Sequence, residues 1–212
     1  MLSVLNEDNV RSMIIYVADR IIENRPLLTE IDGKIGDGDH GIGMAGGMKK
    51  AKDAVSAAEN SGNAYALFEK AGKAMLMSMG GASGVLFGSL YMAGAKGVDA
   101  KAELAPADLA AMMERGLLAI KERGKAQVGD KTMVDALEPA VEAMKENHGK
   151  GMASMLQAAV KAAAQGVEDT KKYRAKFGRA KSLMERAIGF QDAGATSIWL
   201  IFRSMGEFVE QS

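Results

Sequence analysis

Apolar residues return at helical spacing along almost the whole chain, and this pattern limits the fold more than any other feature. Val10, Met13, Ile14, Val17 and Ile21 follow i, i+3, i+4, i+7, the stripe that an amphipathic helix turns toward a core. The same spacing recurs in Phe68, Ala71, Met75, Leu76 and Met79, and in Met133, Leu137, Ala140, Val141 and Met144. It recurs again in Met152, Met155, Leu156, Ala159, Val160 and Ala163, and in Ile198, Ile201, Phe202, Met205, Phe208 and Val209. No segment sustains the period-2 alternation of a half-buried strand. Only 3 of the 212 residues are proline, and good helix formers (Ala, Met, Leu, Lys, Glu) fill the intervals. The pattern predicts helices over 7–22, 40–57, 63–79, 83–96, 106–123, 132–146, 151–169 and 192–211. Short connections make them antiparallel neighbours in one all-α domain, 1–212.

Composition removes several classes of function. There is no cysteine, so disulfides, thiolate metal sites and cysteine nucleophiles are excluded, and a reducing compartment fits. Lys+Arg and Asp+Glu are 27 each, so no basic excess points to nucleic acid or an anionic membrane. No stretch approaches the ~20 apolar residues of a membrane span, and the start lacks the pattern of a signal peptide. The expectation is a cytoplasmic protein. Methionines and Trp199 lie on apolar helix faces and read as core. His148, in Asn147-His148-Gly149, reads as a helix-end residue.

The segments left between the helices, 23–40, Gly80–Gly84, Gly124–Lys131 and 170–192, are rich in Gly, Asp or basic residues. A compact helical domain rarely spends this much chain on loops without a use for it. The first holds Asp32-Gly33-Lys34-Ile35-Gly36-Asp37-Gly38-Asp39-His40-Gly41. Carboxylates this crowded repel unless a cation lies between them, and hard oxygen ligands suit Mg²⁺. A solvated acidic turn is the competing reading. Gly36-x-Gly38-x-x-Gly41 matches a dinucleotide fingerprint in letters, but no strand precedes it. A calcium loop counted from Asp37 requires Glu where Met48 stands.

Gly80-Gly81-Ala82-Ser83-Gly84 reads either as an anion site at a helix start or as a tight corner with Ser83 as N-cap. Gly129-Asp130-Lys131-Thr132-Met133 lacks P-loop spacing; Thr132 with Asp135 reads as a capping arrangement. Lys176, Arg179, Lys181 and Arg186 form a basic run before Asp192-Ala193-Gly194-Ala195-Thr196-Ser197. Such a run is either a solvated face or a neutraliser of phosphoryl charge. His40 is a turn residue or a donor to phosphate.

Five blocks stand in the order and spacing of a known family: Ile35-Gly36-Asp37-Gly38-Asp39-His40-Gly41, Gly80-Gly81-Ala82-Ser83-Gly84, Gly129-Asp130-Lys131-Thr132-Met133, Gly178-Arg179-Ala180 and Gln191-Asp192-x-Gly194-Ala195-Thr196-Ser197. Over its whole length the chain resembles the L subunit of bacterial dihydroxyacetone kinase. The resemblance implies an eight-helix antiparallel barrel with a nucleotide site on the loops at one end. It implies two Mg²⁺ ions held by Asp32, Asp37 and Asp39, with ADP or ATP surrounded by His40, Gly41, Ile42, Gly43, Ala82, Ser83, Gly124, Thr132, Met133, Arg179, Asp192 and Gly194. Of these, Asp32, Asp37, Asp39 and Arg179 would act in phosphoryl transfer. The ketose would be held by a separate K subunit.

A phosphotransferase-system subunit would rephosphorylate bound ADP; in another branch exchangeable ATP is the donor, and a tetrulose such as erythrulose is an alternative ketose. A nucleotide-sensing adaptor and a plain helical scaffold are the competing functions. A homo-oligomer is compatible with the sequence. Two departures, Ala193 where the family often has Pro and Gly43 where it often has Asn, fall in the nucleotide pocket.

Overall fold

The structure, a computed structural model, describes residues 2–212. Its helices are α1 (Glu7–Glu23), α2 (Arg25–Ile35), α3 (His40–Ser56), α4 (Ala64–Ser78), α5 (Gly81–Ala95), α6 (Pro106–Gly124), α7 (Val134–Asn147), α8 (Met152–Thr170) and α9 (Ala193–Gln211). Short 3-10 segments lie at His148–Lys150 and Arg179–Ala187. A two-residue antiparallel pair, β1 (Leu5–Asn6) with β2 (Glu103–Leu104), sets Leu5 opposite Leu104.

Eight helices close a ring. Each of α3 to α9 packs on its neighbours in the chain, α3 packs on α1, and α9 returns to α1. The all-α barrel expected from periodicity and resemblance is therefore the observed architecture. The apolar stripes face inward: Val10, Met13, Val17 and Ile21 of α1 are buried, as are Met152, Met155, Leu156, Ala159 and Ala163 of α8. Phe68, Phe87 and Phe202 are fully enclosed, and truncating one of them to Ala costs about 3–5 kcal/mol.

The region 23–40, expected to be irregular, instead contains α2. Leu28, Ile31 and Ile35 are buried along it, a stripe at i, i+3, i+7 carried by a helix too short to stand out. Pro26 in its first turn starts it at little cost. α2 lies outside the ring against α3 and α9. Gly41 makes the α2–α3 approach possible, because a Cβ there would meet Arg25 O at 2.5 Å and Thr29 N at 2.7 Å. The corner at Gly80 is also shorter than expected: α5 is already helical at Gly81, and the N-cap is Gly80, not Ser83.

Alternating direction gathers the starts of α3, α5, α7 and α9 at one end of the barrel. The other end is closed by polar bonds. Asn6 and Asn9 cap α1 reciprocally, Asn6 Oδ1 accepting from Asn9 N at 2.8 Å. Glu7, 7% exposed, accepts from Ser61 N, Gly62 N and Ser61 Oγ at 2.9–3.1 Å. Burial alone would raise the Glu7 carboxyl, but these donors outweigh it and hold it below its ordinary value.

Candidate metal and anion site

The gathered helix starts surround an open cavity of about 700 Å³. α2 delivers Asp32 in its last turn, and the link Gly36–Asp39 delivers Asp37 and Asp39. Gly38 takes φ +77° in that link, a conformation that glycine adopts without a side-chain clash. The result is that Asp32, Asp37 and Asp39 each offer a carboxylate oxygen within 4.8 Å of the others. Loss of hydration, and then the Asp37 charge, push the Asp39 carboxyl upward, and Arg179 offsets this only in part. A divalent cation relieves such crowding, and an all-oxygen donor set suits Mg²⁺.

Opposite the carboxylates lie exposed donors. The N-cap residues of α3 and α5 make no side-chain bond to the first turn, and Asp32 takes only the His40 N–H, so the N–H groups of Ile42 and of Ala82–Ser83 are left for an anion at the positive ends of two helices. α9 differs: Asp192 caps it, accepting from Ala195 N at 2.7 Å. Burial pushes the Asp192 carboxyl up to about 6, against that bond and the nearby Lys131 charge. α7 is capped as expected, with Asp135 Oδ2 accepting from Thr132 N at 2.6 Å and Thr132 Oγ1 from Val134 N at 3.2 Å. Thr132 still lines the cavity.

His40 N donates to Asp32 Oδ2 at 3.3 Å, and His40 Nε2 hydrogen-bonds Ser197 Oγ at 2.8 Å. Burial holds the imidazole below its usual range against the pull of Asp32. Arg179 reaches in from residues 171–192, here called the strap, and pairs with Asp37 at 2.5 Å. Its side chain is 69% exposed, and a pair that open contributes about 0–1 kcal/mol. The ion pair alone therefore cannot order the strap.

Of the residues singled out in the sequence, Asp32, Asp37, Asp39, His40, Ile42, Gly43, Ala82, Ser83, Thr132, Met133, Arg179, Asp192 and Gly194 all line this cavity. Gly41 and Gly124 do not. Gly41 is buried beneath α2, and Gly124 ends α6, where a Cβ would stand 3.5 Å from Leu86 Cδ2. Ala193 and Gly43, the two departures, are on the wall. Motif reading missed the apolar wall of Leu86, Phe87 and Phe177, and it missed Lys131. Phe87 follows Ser83 by one helical turn, and Lys131 sits inside Gly129-Asp130-Lys131-Thr132-Met133; those were the signals available.

The DAK2 domain model matches residues 34–207, most of the chain and every element of the cavity except Asp32. The chain belongs to the DAK2 domain family. Among family members, the ADP-binding subunit DhaL of PEP-dependent dihydroxyacetone kinase 1 from Listeria innocua is 39% identical, over 88% of this chain and 89% of its own length. The DhaL subunit of the Escherichia coli enzyme is 36% identical over 84% and 85%. D-erythrulose kinase of Mycolicibacterium smegmatis is 34% identical over 92% of this chain but only 34% of its own. Among solved structures, dihydroxyacetone kinase from C. freundii, in complex with AMP-PNP and Mg²⁺, superposes with a TM-score of 0.72 at 27% identity. It covers 93% of this chain and 33% of that one. The chain thus matches DhaL subunits nearly end to end, and it corresponds to about a third of the longer kinases. No helix among the described residues is long and apolar enough to cross a membrane.

Proposed function

We propose that this chain is the nucleotide-binding, L-type subunit of a dihydroxyacetone kinase, holding ADP through Mg²⁺ and passing a phosphoryl group to a ketose carried by a separate K subunit. The observation that carries this reading is the meeting of three mutually repelling carboxylates with uncapped helix starts in one cavity. A cation satisfies the first and phosphate oxygens the second, and a Mg²⁺–nucleotide brings both. The near end-to-end similarity to ADP-binding DhaL subunits supports the same conclusion.

Asp32, Asp37 and Asp39 would hold two Mg²⁺ ions, which supply charge neutralisation on the β- and γ-phosphates. The N–H groups of Ala82 and Ser83 would bind phosphate oxygens as fixed donors. Arg179, placed beside Asp37, would neutralise charge on the transferring phosphoryl group. His40, held by Ser197, would position Asp32 and the first turn of α3. Leu86, Met133 and Phe177, backed by the enclosed Phe87, would form the dry wall on which the base lies. Positioning and charge complementarity do most of the work in phosphoryl transfer, and no nucleophile from this chain is required.

A phosphotransferase-system subunit would renew the bound nucleotide in the cytoplasm. The alternative arrangement uses exchangeable ATP and a tetrulose, as the similarity to erythrulose kinases suggests. Reconstitution decides between them. The chain is mixed with a K subunit, dihydroxyacetone or erythrulose, and either a phosphoenolpyruvate-driven phosphotransferase system or ATP. Dihydroxyacetone phosphate should form with the first donor, only when all components are present, and not with Asp37→Ala. Turnover without this chain, or none with it under either donor, would remove the reading.

A further inference from the structure

Among the described residues, the strap carries the cationic side chain that pairs with the acidic cluster, yet it is largely exposed, and its ion pair with Asp37 is open to solvent. Something buried has to place it. Lys131 is 2% exposed, and its Nζ donates to Thr170 O at 2.6 Å and to Phe190 O. Those carbonyls belong to the last residue of α8 and to the far end of the strap. One ammonium therefore joins both ends of the segment that holds Arg179. Below it the neck is sealed by Gly189 N to Lys171 O at 2.7 Å and by Asp192 N to Thr170 Oγ1 at 3.0 Å.

The preceding residue holds the middle of the strap. Asp130 O accepts from Lys176 N at 3.1 Å, and the Asp130 carboxylate pairs with Lys176 Nζ at 2.6 Å. Lys176 lies three residues before Arg179. The chemistry suits a lysine: an ammonium has three donors, and the C-terminal end of α8 concentrates carbonyl dipoles that favour a cation. Lys131 also adopts φ +60°, a left-handed conformation costly for a side chain of this size, and it lines the cavity. Asp135 and Asp192 are the charged groups facing it.

We propose that Lys131 is a positioning residue that clasps the two ends of the strap and thereby sets Arg179 over the acidic cluster. This rests on the nucleotide-site reading above. A residue serving only the core would change stability alone. A clasp acting through Arg179 must also change ligand affinity, and must do so only while Arg179 is present.

The test is a double-mutant cycle on the full chain, with Mg²⁺-ADP affinity measured by calorimetry for wild type, Lys131→Met, Arg179→Ala and the pair. Lys131→Met should weaken binding about tenfold, and should add less than about twofold in the Arg179→Ala background. Trypsin should cut the strap faster in Lys131→Met than in wild type, with Lys131→Arg restoring part of the protection. If Lys131→Met does not fold, Lys131→Gln takes its place with the same expectations. Additive losses, unchanged affinity, or failure of both neutral variants to fold would each overturn the proposal, the last by making Lys131 a residue of the fold itself. Wild type that binds no Mg²⁺-ADP sinks the nucleotide-site reading instead, so the two failures are distinct.

Discussion

The two ends of the barrel use carboxylates in opposite ways. At the closed end Glu7 sits among donors that match it, and its acidity is increased. At the open end Asp39 faces Asp37 and Asp32, Asp192 is half-buried in the cavity wall near Asp135, and both Asp39 and Asp192 are less acidic than usual. A fold completes the polar bonds it needs for itself. On the proposed reading, the crowded like charges and uncapped helix starts of the open end take their partner from outside the chain. The open end is thus destabilised by the features that fit it for a cation and phosphates.

The largest effect expected from this contrast is a gain. Without metal or nucleotide, Asp192→Asn keeps the acceptor for Ala195 N but removes a half-buried, poorly solvated charge. The folded Asp192 carboxyl titrates near 6, above its unfolded value of about 3.9. Whatever stability this group lends is present below about pH 4 and lost as pH rises through 6. The variant should therefore be more stable than wild type at pH 7.5, by up to about 3 kcal/mol, and equal to it near pH 4. Thermal unfolding at both pH values reads this, and equal stability at pH 7.5 would break the contrast.

Glu7→Gln should do the reverse. It leaves a loop N–H without its acceptor and should destabilise by about 1–3 kcal/mol at pH 7, with Mg²⁺-ADP affinity unchanged. The folded Glu7 carboxyl lies below its unfolded value, so its contribution is full above about pH 4.3 and lost as pH falls through the folded value. A deficit that persisted undiminished in acid would show that shape rather than charge is what Glu7 supplies. The smallest effect on stability belongs to Arg179→Ala, expected within about 0.5 kcal/mol of wild type. Its loss should appear in nucleotide affinity; a large fall in unfolding temperature would mean that the strap is part of the fold.

Much of this was legible in the sequence because barrel helices bury one face, and one buried face writes a 3.6-residue period. The same logic explains the failure at 25–35: Leu28, Ile31 and Ile35 span three turns at most, and the Gly/Asp-rich residues beyond them dominate the local composition. The acidic cluster was legible because Asp32, Asp37 and Asp39 are close in the chain as well as in space. Residues brought in from afar left weaker traces. Lys131 meets Thr170 and Phe190 only through the packing of α7, α8 and α9, and Phe177 reaches the cavity only because the strap folds over it. Gly41 stood inside the strongest motif, yet it lines a helix crossing rather than the cavity.

Titration calorimetry of the purified chain with ADP, with and without Mg²⁺, in wild type and Asp37→Ala, tests the central claim most directly. The account predicts Mg²⁺-dependent binding to wild type and a loss of about a hundredfold or more in the variant, with the helical fold intact by circular dichroism. Equal affinity in both proteins, or binding indifferent to Mg²⁺, would contradict it.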